Sequence, residues 1–168
     1  DRGHKNIGFV GTRLMTPSID DRFFGYLKAL MERGIKYRAD WIIDDRDNIY
    51  GKMNYDRQFI LPKEVPTAFF CNCDKAASLI IRKLEEAGYS VPGDVSVVGF
   101  DNFEYDQEAD IGITTYEINI GEMAKRAVHI MLHKMQNALY SAGVFSIQGK
   151  IIERESVKKI GKSVPYAK

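Results

Sequence analysis

Short runs that are apolar throughout alternate with longer stretches whose apolar residues recur every three or four positions. "NIGFVGT" (6–12) is apolar and ends in glycine, the pattern of a buried strand. "PSIDDRFFGYLKALMERG" (17–34) changes period: Phe23, Tyr26, Leu27 and Leu30 fall at helical spacing. Pro17 and Ser18 suit its start, Asp20 and Asp21 suit the positive end of the dipole, and Gly34 marks its stop. "ADWIIDD" (39–45) predicts a second strand, and "NIYGKMNYDRQFIL" (48–61) a helix with an irregular lead-in, closed by Pro62. "TAFFCNC" (67–73) predicts a third strand, and "DKAASLIIRKLEEAG" (74–88) a helix capped by Asp74 and ended by Gly88. "VPGDVSVVGFD" (91–101) is a turn leading into a fourth strand. "ITTYEIN" (113–119) follows as a fifth strand, "GEMAKRAVHIMLHKMQNAL" (121–139) as an amphipathic helix, and "GKIIERESV" (149–157) as a last strand.

Strands alternate with helices, and the strands are apolar on both faces. Together these features predict an α/β fold: a three-layer arrangement with a parallel sheet covered by helices on both sides. The length, 168 residues, suits one domain or two small lobes. With 24 basic residues against 23 acidic, the chain lacks the basic excess of an isolated nucleic-acid-binding module. No apolar run approaches the roughly 20 residues that span a bilayer, and "DRGHKNIGFV" is too charged for a secretory signal. The two cysteines, Cys71 and Cys73, are too close in sequence for an ordinary structural disulfide, which favours a reducing, cytoplasmic setting.

In an open parallel sheet, ligands sit beyond the carboxyl ends of the strands. That rule selects Thr12, Arg13, the loop "LMTPS" and Arg22 after the first strand, Asn72, Cys73 and Asp74 after the third, and Asp101 and Asn102 after the fourth. Carboxylates, an amide, hydroxyls and a guanidinium suit a polyhydroxylated molecule: carboxylates accept from paired hydroxyls, and arginine donates through a planar fork. Each residue also has a plain reading, Asp74 as a helix cap, Arg22 as a solvated helix residue and Asp101 as a strand-end charge. Other chemistry finds no support. His129 and His133 lie four apart, but the Glu of an H-E-x-x-H motif and a third ligand are missing, so no metal is expected. There is no G-x-G-x-x-G, P-loop or G-x-S-x-G spacing, so no cofactor and no catalytic residue is assigned.

The segments "GHKNIGFVG", "RFFGYLKALMERGI", "PTAFFCNCDKAASLIIRKLEEAGYSVPGDVSVVGFDN", "ITTYEINIGEMAKRAV" and "IIERESV" resemble, in order, landmarks of the LacI/GalR family of bacterial transcription regulators. A GntR-type regulator carrying the same effector module is similar here. The resemblance implies a periplasmic-binding-protein-like type I lobe, truncated, with residues 1–112 as the C-terminal lobe. Residues 113–143 form the crossover strand and helix that relatives place in the first lobe, and residues 144–168 the return strand and tail. It implies a sugar or similar small polar effector held between two lobes, a homodimer, operator DNA bound through a helix-turn-helix outside this sequence, and no membrane. Carried over by position, Arg22 matches the ligand-binding arginine, with Thr16 and Ser18 in the loop lining the pocket, and Asp101 the carboxylate that accepts from sugar hydroxyls. Cys73 stands where many relatives have a ligand-touching asparagine, followed by the acid Asp74, while the asparagine here is one residue earlier, at Asn72. Ile118 replaces a frequent glutamine, and Tyr50 is the candidate aromatic platform.

The resemblance also carries expectations about the rest of the chain. The apolar face of the helix 121–139, with Met123, Ala127, Ile130, Met131 and Met135, is expected to pack back on the same lobe or exchange with another copy. The tail "GKSVPYAK" is expected to fray. Two other classes remain as alternatives: a transport-type sugar-binding protein, distinguished by a secretory signal, and a phosphorelay receiver or enzyme using Asp101. The receiver lacks the acidic pair after the first strand, which here ends "GTR".

Overall fold

The computed structural model describes residues 2–47, 49–103 and 110–160. A parallel four-stranded sheet of order β2-β1-β3-β4 forms its centre, built from β1 (Ile7–Val10), β2 (Ile42–Ile43), β3 (Ala68–Cys71) and β4 (Ser96–Val98). Neighbouring side chains on β1 and β3 point to opposite faces, and both faces are apolar. Phe9 packs with Phe23, Tyr26 and Leu30 of α1 (Pro17–Glu32) on one side. Val10, Phe69 and Cys71 pack with Ala76, Ala77, Ile80, Ile81 and Leu84 of α3 (Asp74–Glu86) on the other. Fully burying a side chain such as Ile80 or Leu84 stabilises the fold by roughly 1.5–3 kcal/mol relative to exposure.

Helix α1 begins where Thr16, not Ser18, takes the N-cap and accepts from the Ile19 N–H at 3.3 Å, with Pro17 in the first turn. Its end is set by Gly34 at φ +62°, after which the Ile35 N–H returns to the Leu30 carbonyl at 2.9 Å. Two predicted elements are shorter than the sequence suggests. The strand expected over 39–45 is a 3-10 turn (Ala39–Trp41) followed by the two-residue β2. Trp41 is buried with its indole N–H on the Glu64 carbonyl, and the chain then bends so that Asp45 turns inward. The helix expected over 48–61 is a single turn, α2 (Tyr55–Gln58). Asp47 collects the N–H groups of Ile49, Tyr50 and Lys52, so a turn closed by a side chain replaces the helix start.

Beyond β4 the chain crosses to a second sheet, the antiparallel pair β5 (Thr115–Glu117) and β6 (Lys150–Ile152), with α4 (Ile120–Gln136) between them. The last strand, expected over 149–157, is thus confined to three residues. Single parallel bridges, Val98 with Thr114 and Asp101 with Glu117, continue the main sheet along β5. Ser156, fully buried, locks this junction: its hydroxyl donates to the Val97 carbonyl at 2.6 Å and accepts from the Thr114 N–H at 2.8 Å. Ser156→Ala would orphan both groups and is expected to cost about 1–3 kcal/mol, read from urea denaturation.

Helix α4 does not pack back on the lobe. None of its residues is buried, and Met123, Val128, Met131, Leu132 and Met135 are all exposed. No helix among the described residues is long and apolar enough to cross a membrane. The tail 161–168, expected to fray, lies outside the described residues.

Candidate ligand site

Strand β1 leads through α1 to β2 on one side and pairs with β3 on the other, so the sheet has its switch point between β1 and β3. Arg22, in the second turn of α1, spans the carboxyl ends of the strands from there. Its Nη1 donates to the Asn72 carbonyl just past β3, and its Nη2 donates to Asp101 Oδ1 at 2.8 Å past β4. Both members of this ion pair are about one-fifth exposed, 20% and 19%. The guanidinium lies 4.1 Å from the centre of the Phe100 ring, which fixes its plane. Asp101 and Asn102 adopt φ +99° and +52°, a left-handed backbone rare outside glycine. That kink turns the chain at the end of β4 and presents the Asp101 carboxylate to the arginine.

Asp101 lines a cavity of about 630 Å³ that opens toward the crossover strands, bounded also by Asn102, Glu117, Ile118, Asn119 and Lys150. Arg22 and Ser18 line a separate, more apolar groove of about 1090 Å³ with Tyr26, Phe70 and Phe100. The ion pair is therefore a wall shared by two concavities. A guest reaching both charged groups would have to enter between them.

The other residues selected from the sequence are distributed differently. Thr16 is spent on capping, with the Ser18 hydroxyl beside it at 3.1 Å. The Asn72 side chain is buried and points away from the arginine: its amide donates to Asp45 Oδ2 at 3.1 Å, so only its main-chain carbonyl takes part. Cys73 is buried at the N-cap of α3 without a side-chain cap bond, and lines neither concavity. Asp74 does not cap α3. Its carboxylate accepts from the Phe103 N–H at 3.1 Å, while Oδ1 fills the space a Cβ on Gly99 would need. Tyr50 is 78% exposed on the Asp47 turn and lines neither concavity. Thr12 is buried, donating to the Arg46 carbonyl and accepting from the Asp45 and Arg46 N–H groups. Arg13 instead lies over the Phe23 ring.

Two groups of residues were not selected from the sequence. Phe100 is the stacking surface under Arg22, and its place directly before Asp101 is the signal that could have found it. Asp45, fully buried, ties the ends of β1, β2 and β3 together. It accepts from the Thr12 N–H at 2.9 Å, from the Asn72 amide, and from Arg46, whose Nη2 is 2.7 Å away. Burial pushes the Asp45 carboxyl up, but Arg46, the Thr12 N–H and the Asn72 amide outweigh it and hold the carboxyl below its ordinary value.

Asp74 is shifted the opposite way. Burial is the main cause and the nearby Asp101 charge adds to it, while hydrogen bonds oppose. A carboxyl raised in the fold stabilises below its unfolded value, ordinarily 3.8, and loses that contribution as pH rises through the folded value. Asp74→Asn is therefore expected to lessen the loss of stability as pH rises above 3.8, measured by urea midpoints across a pH series. Burial also pushes both thiols up, so Cys71 and Cys73 stay protonated. His129 and His133 meet with ring centres 4.3 Å apart. No group of three or more metal-ligating side chains is found among the described residues.

A parallel α/β sheet thus carries an arginine–carboxylate pair over an aromatic ring at its strand ends, with crossover strands leading away. The chain belongs to the periplasmic binding protein-like domain family, whose model matches residues 1–157. The HTH-type transcriptional repressor PurR of Photobacterium profundum is 31% identical over 160 residues, covering 95% of this chain and 48% of the repressor. The NTD biosynthesis operon regulator NtdR of Bacillus subtilis is 32% identical over 157 residues, covering 93% and 48%. Among solved structures, a sugar-binding transcriptional regulator of the LacI family from Escherichia coli, complexed with phosphate, superposes with a TM-score of 0.74. It is 22% identical, covering 95% of this chain and 57% of that one, a likeness of fold. The chain spans about half the length of the curated relatives it matches.

Proposed function

We propose that this chain is the effector-binding part of a LacI-type transcriptional regulator, taking a sugar or a similar polyhydroxylated ligand against Arg22 and Asp101. The observation that carries the reading is the 2.8 Å pair itself, gathered from α1 and the end of β4 and stacked on Phe100. A ligand hydroxyl pair can accept from the guanidinium fork and donate to the carboxylate, replacing the internal bond at little desolvation cost. The Phe100 ring lies between Arg22 and Tyr116 and so holds the guanidinium plane rather than offering a face to the ligand.

The activity is binding and switching, with no catalysis. An effector that contacts both lobes favours their closed arrangement by its differential affinity for that state. Residues 1–112 act as the C-terminal lobe. Residues 113–143 carry the crossover strand and a helix that docks in the first lobe, and residues 144–168 return. The whole protein would be a cytoplasmic homodimer binding operator DNA through a helix-turn-helix, a reading supported by its likeness to repressors of the HTH type. Calorimetric titration of a panel of mono- and disaccharides into the whole protein tests this. Arg22→Ala and Asp101→Asn should each weaken the ligand found, and unchanged affinity in both would remove these residues from the pocket. Asparagine is the better replacement at 101, because it tolerates the left-handed backbone that would strain alanine.

A further inference from the structure

The residue that follows the candidate ligand carboxylate is tied to both crossover segments. Asn102 donates from Nδ2 to Glu117 Oε1 on β5 at 2.8 Å. Its Oδ1 accepts from Arg154 Nη2, just past β6, at 2.7 Å. Glu117 is held in turn by Lys150 of β6 at 3.0 Å, and Arg154 also donates from Nη1 to the Ile113 carbonyl at 2.7 Å. Main-chain bonds run in parallel: the Asp101 N–H donates to the Tyr116 carbonyl at 2.9 Å. Only a carboxamide can serve this position as it stands. It must donate to a carboxylate on one side and accept from a guanidinium on the other. It must also sit at φ +52°, which asparagine tolerates better than most side chains. An aspartate there would face Glu117 as a like charge.

We propose that Asn102 is a positioning residue that transmits the state of the Arg22–Asp101 pair to β5 and β6 together. It sits one peptide from Asp101, so a main-chain shift at Asp101 on release from Arg22 carries Asn102 with it. The carboxamide passes this motion to one side chain on each crossover segment. The inference rests on the reading of Arg22 and Asp101 as the ligand site, but its test needs no ligand.

Arg22→Ala frees Asp101 and stands in for displacement of the pair. Amide hydrogen exchange is followed in the segments 113–119 and 148–155, in otherwise unaltered chain and in Asn102→Gly. Glycine removes the carboxamide while keeping the left-handed backbone. Arg22→Ala should raise exchange in both segments about threefold or more in the unaltered chain, and change it little in Asn102→Gly, a departure from additivity that a merely structural residue would not produce. Asn102→Asp, equal in size but unable to donate to Glu117, should behave as the glycine variant. An equal response to Arg22→Ala with and without the carboxamide, or full coupling in Asn102→Asp, overturns the proposal. Coupling that persists while no saccharide binds the whole protein sinks the ligand reading and leaves this one standing. Saccharide binding with additive exchange sinks only this one.

Discussion

Replacing Asp45 by alanine is expected to be among the most damaging single changes in this lobe, lowering stability by about 3–5 kcal/mol. Asp45 has no exposed surface, and Arg46 beside it is only 19% exposed. Without the carboxylate, a largely buried guanidinium loses its closest partner. The Thr12 N–H and the Asn72 amide lose their acceptor as well, and each orphaned donor adds its own desolvation cost. Asp45→Asn keeps the shape and should cost less. The pH dependence gives a second check. A carboxyl held below its ordinary value contributes stability that is present above the unfolded value and lost as pH falls through the folded one. Urea midpoints should therefore drop on acidification below the ordinary carboxylate value of 3.8 in the parent chain, and drop less in Asp45→Asn.

Arg22→Ala is expected to reduce effector affinity in the whole protein by about 30-fold or more, because truncating one partner of a desolvated, hydrogen-bonded charge pair costs at least about 2 kcal/mol. Its effect on the unliganded fold should be smaller, about 1 kcal/mol, since the pair is partly exposed and water replaces some of the lost contact. The contrast between a large loss in titration and a small one in denaturation is the signature of a binding residue. Arg22→Lys should not rescue. The guanidinium donates from two nitrogens, to the Asn72 carbonyl and to Asp101, while lying flat on Phe100. An ammonium supplies neither the fork nor the stacking plane.

The layered fold was legible because its signals are local. The apolar run around Phe9, the period of Phe23, Tyr26 and Leu30, and the glycines at 34 and 88 each report on a few neighbouring residues, and each appears in the structure where the pattern puts it. The elements over 39–45 and 48–61 were misread because side chains there compete with the backbone. Asp45 and Asp47 bond main-chain N–H groups that a strand or helix would otherwise use. The arginine and carboxylate singled out by the family resemblance meet in the structure. Of the other candidates, Asn72 came from the strand-end rule, Cys73 from that rule and the resemblance, and Tyr50 from the resemblance; the structure turns the first toward Asp45, buries the second at a helix cap and leaves the third in solvent.

By itself the sequence determined the main strands and helices, β1, α1, β3 and α3, and their apolar faces, because propensity and hydrophobic period act over one or two turns of chain. The strand-end rule put Arg22 and Asp101 among several candidates, and the family resemblance singled them out. Only the tertiary structure decided that these two, 79 positions apart, share a hydrogen bond, that Phe100 lies beneath them, and that Asn102 reaches both Glu117 and Arg154. Those contacts depend on sheet order and on two left-handed residues at the end of β4. Such features are set by how distant segments pack, and a local pattern carries no record of that.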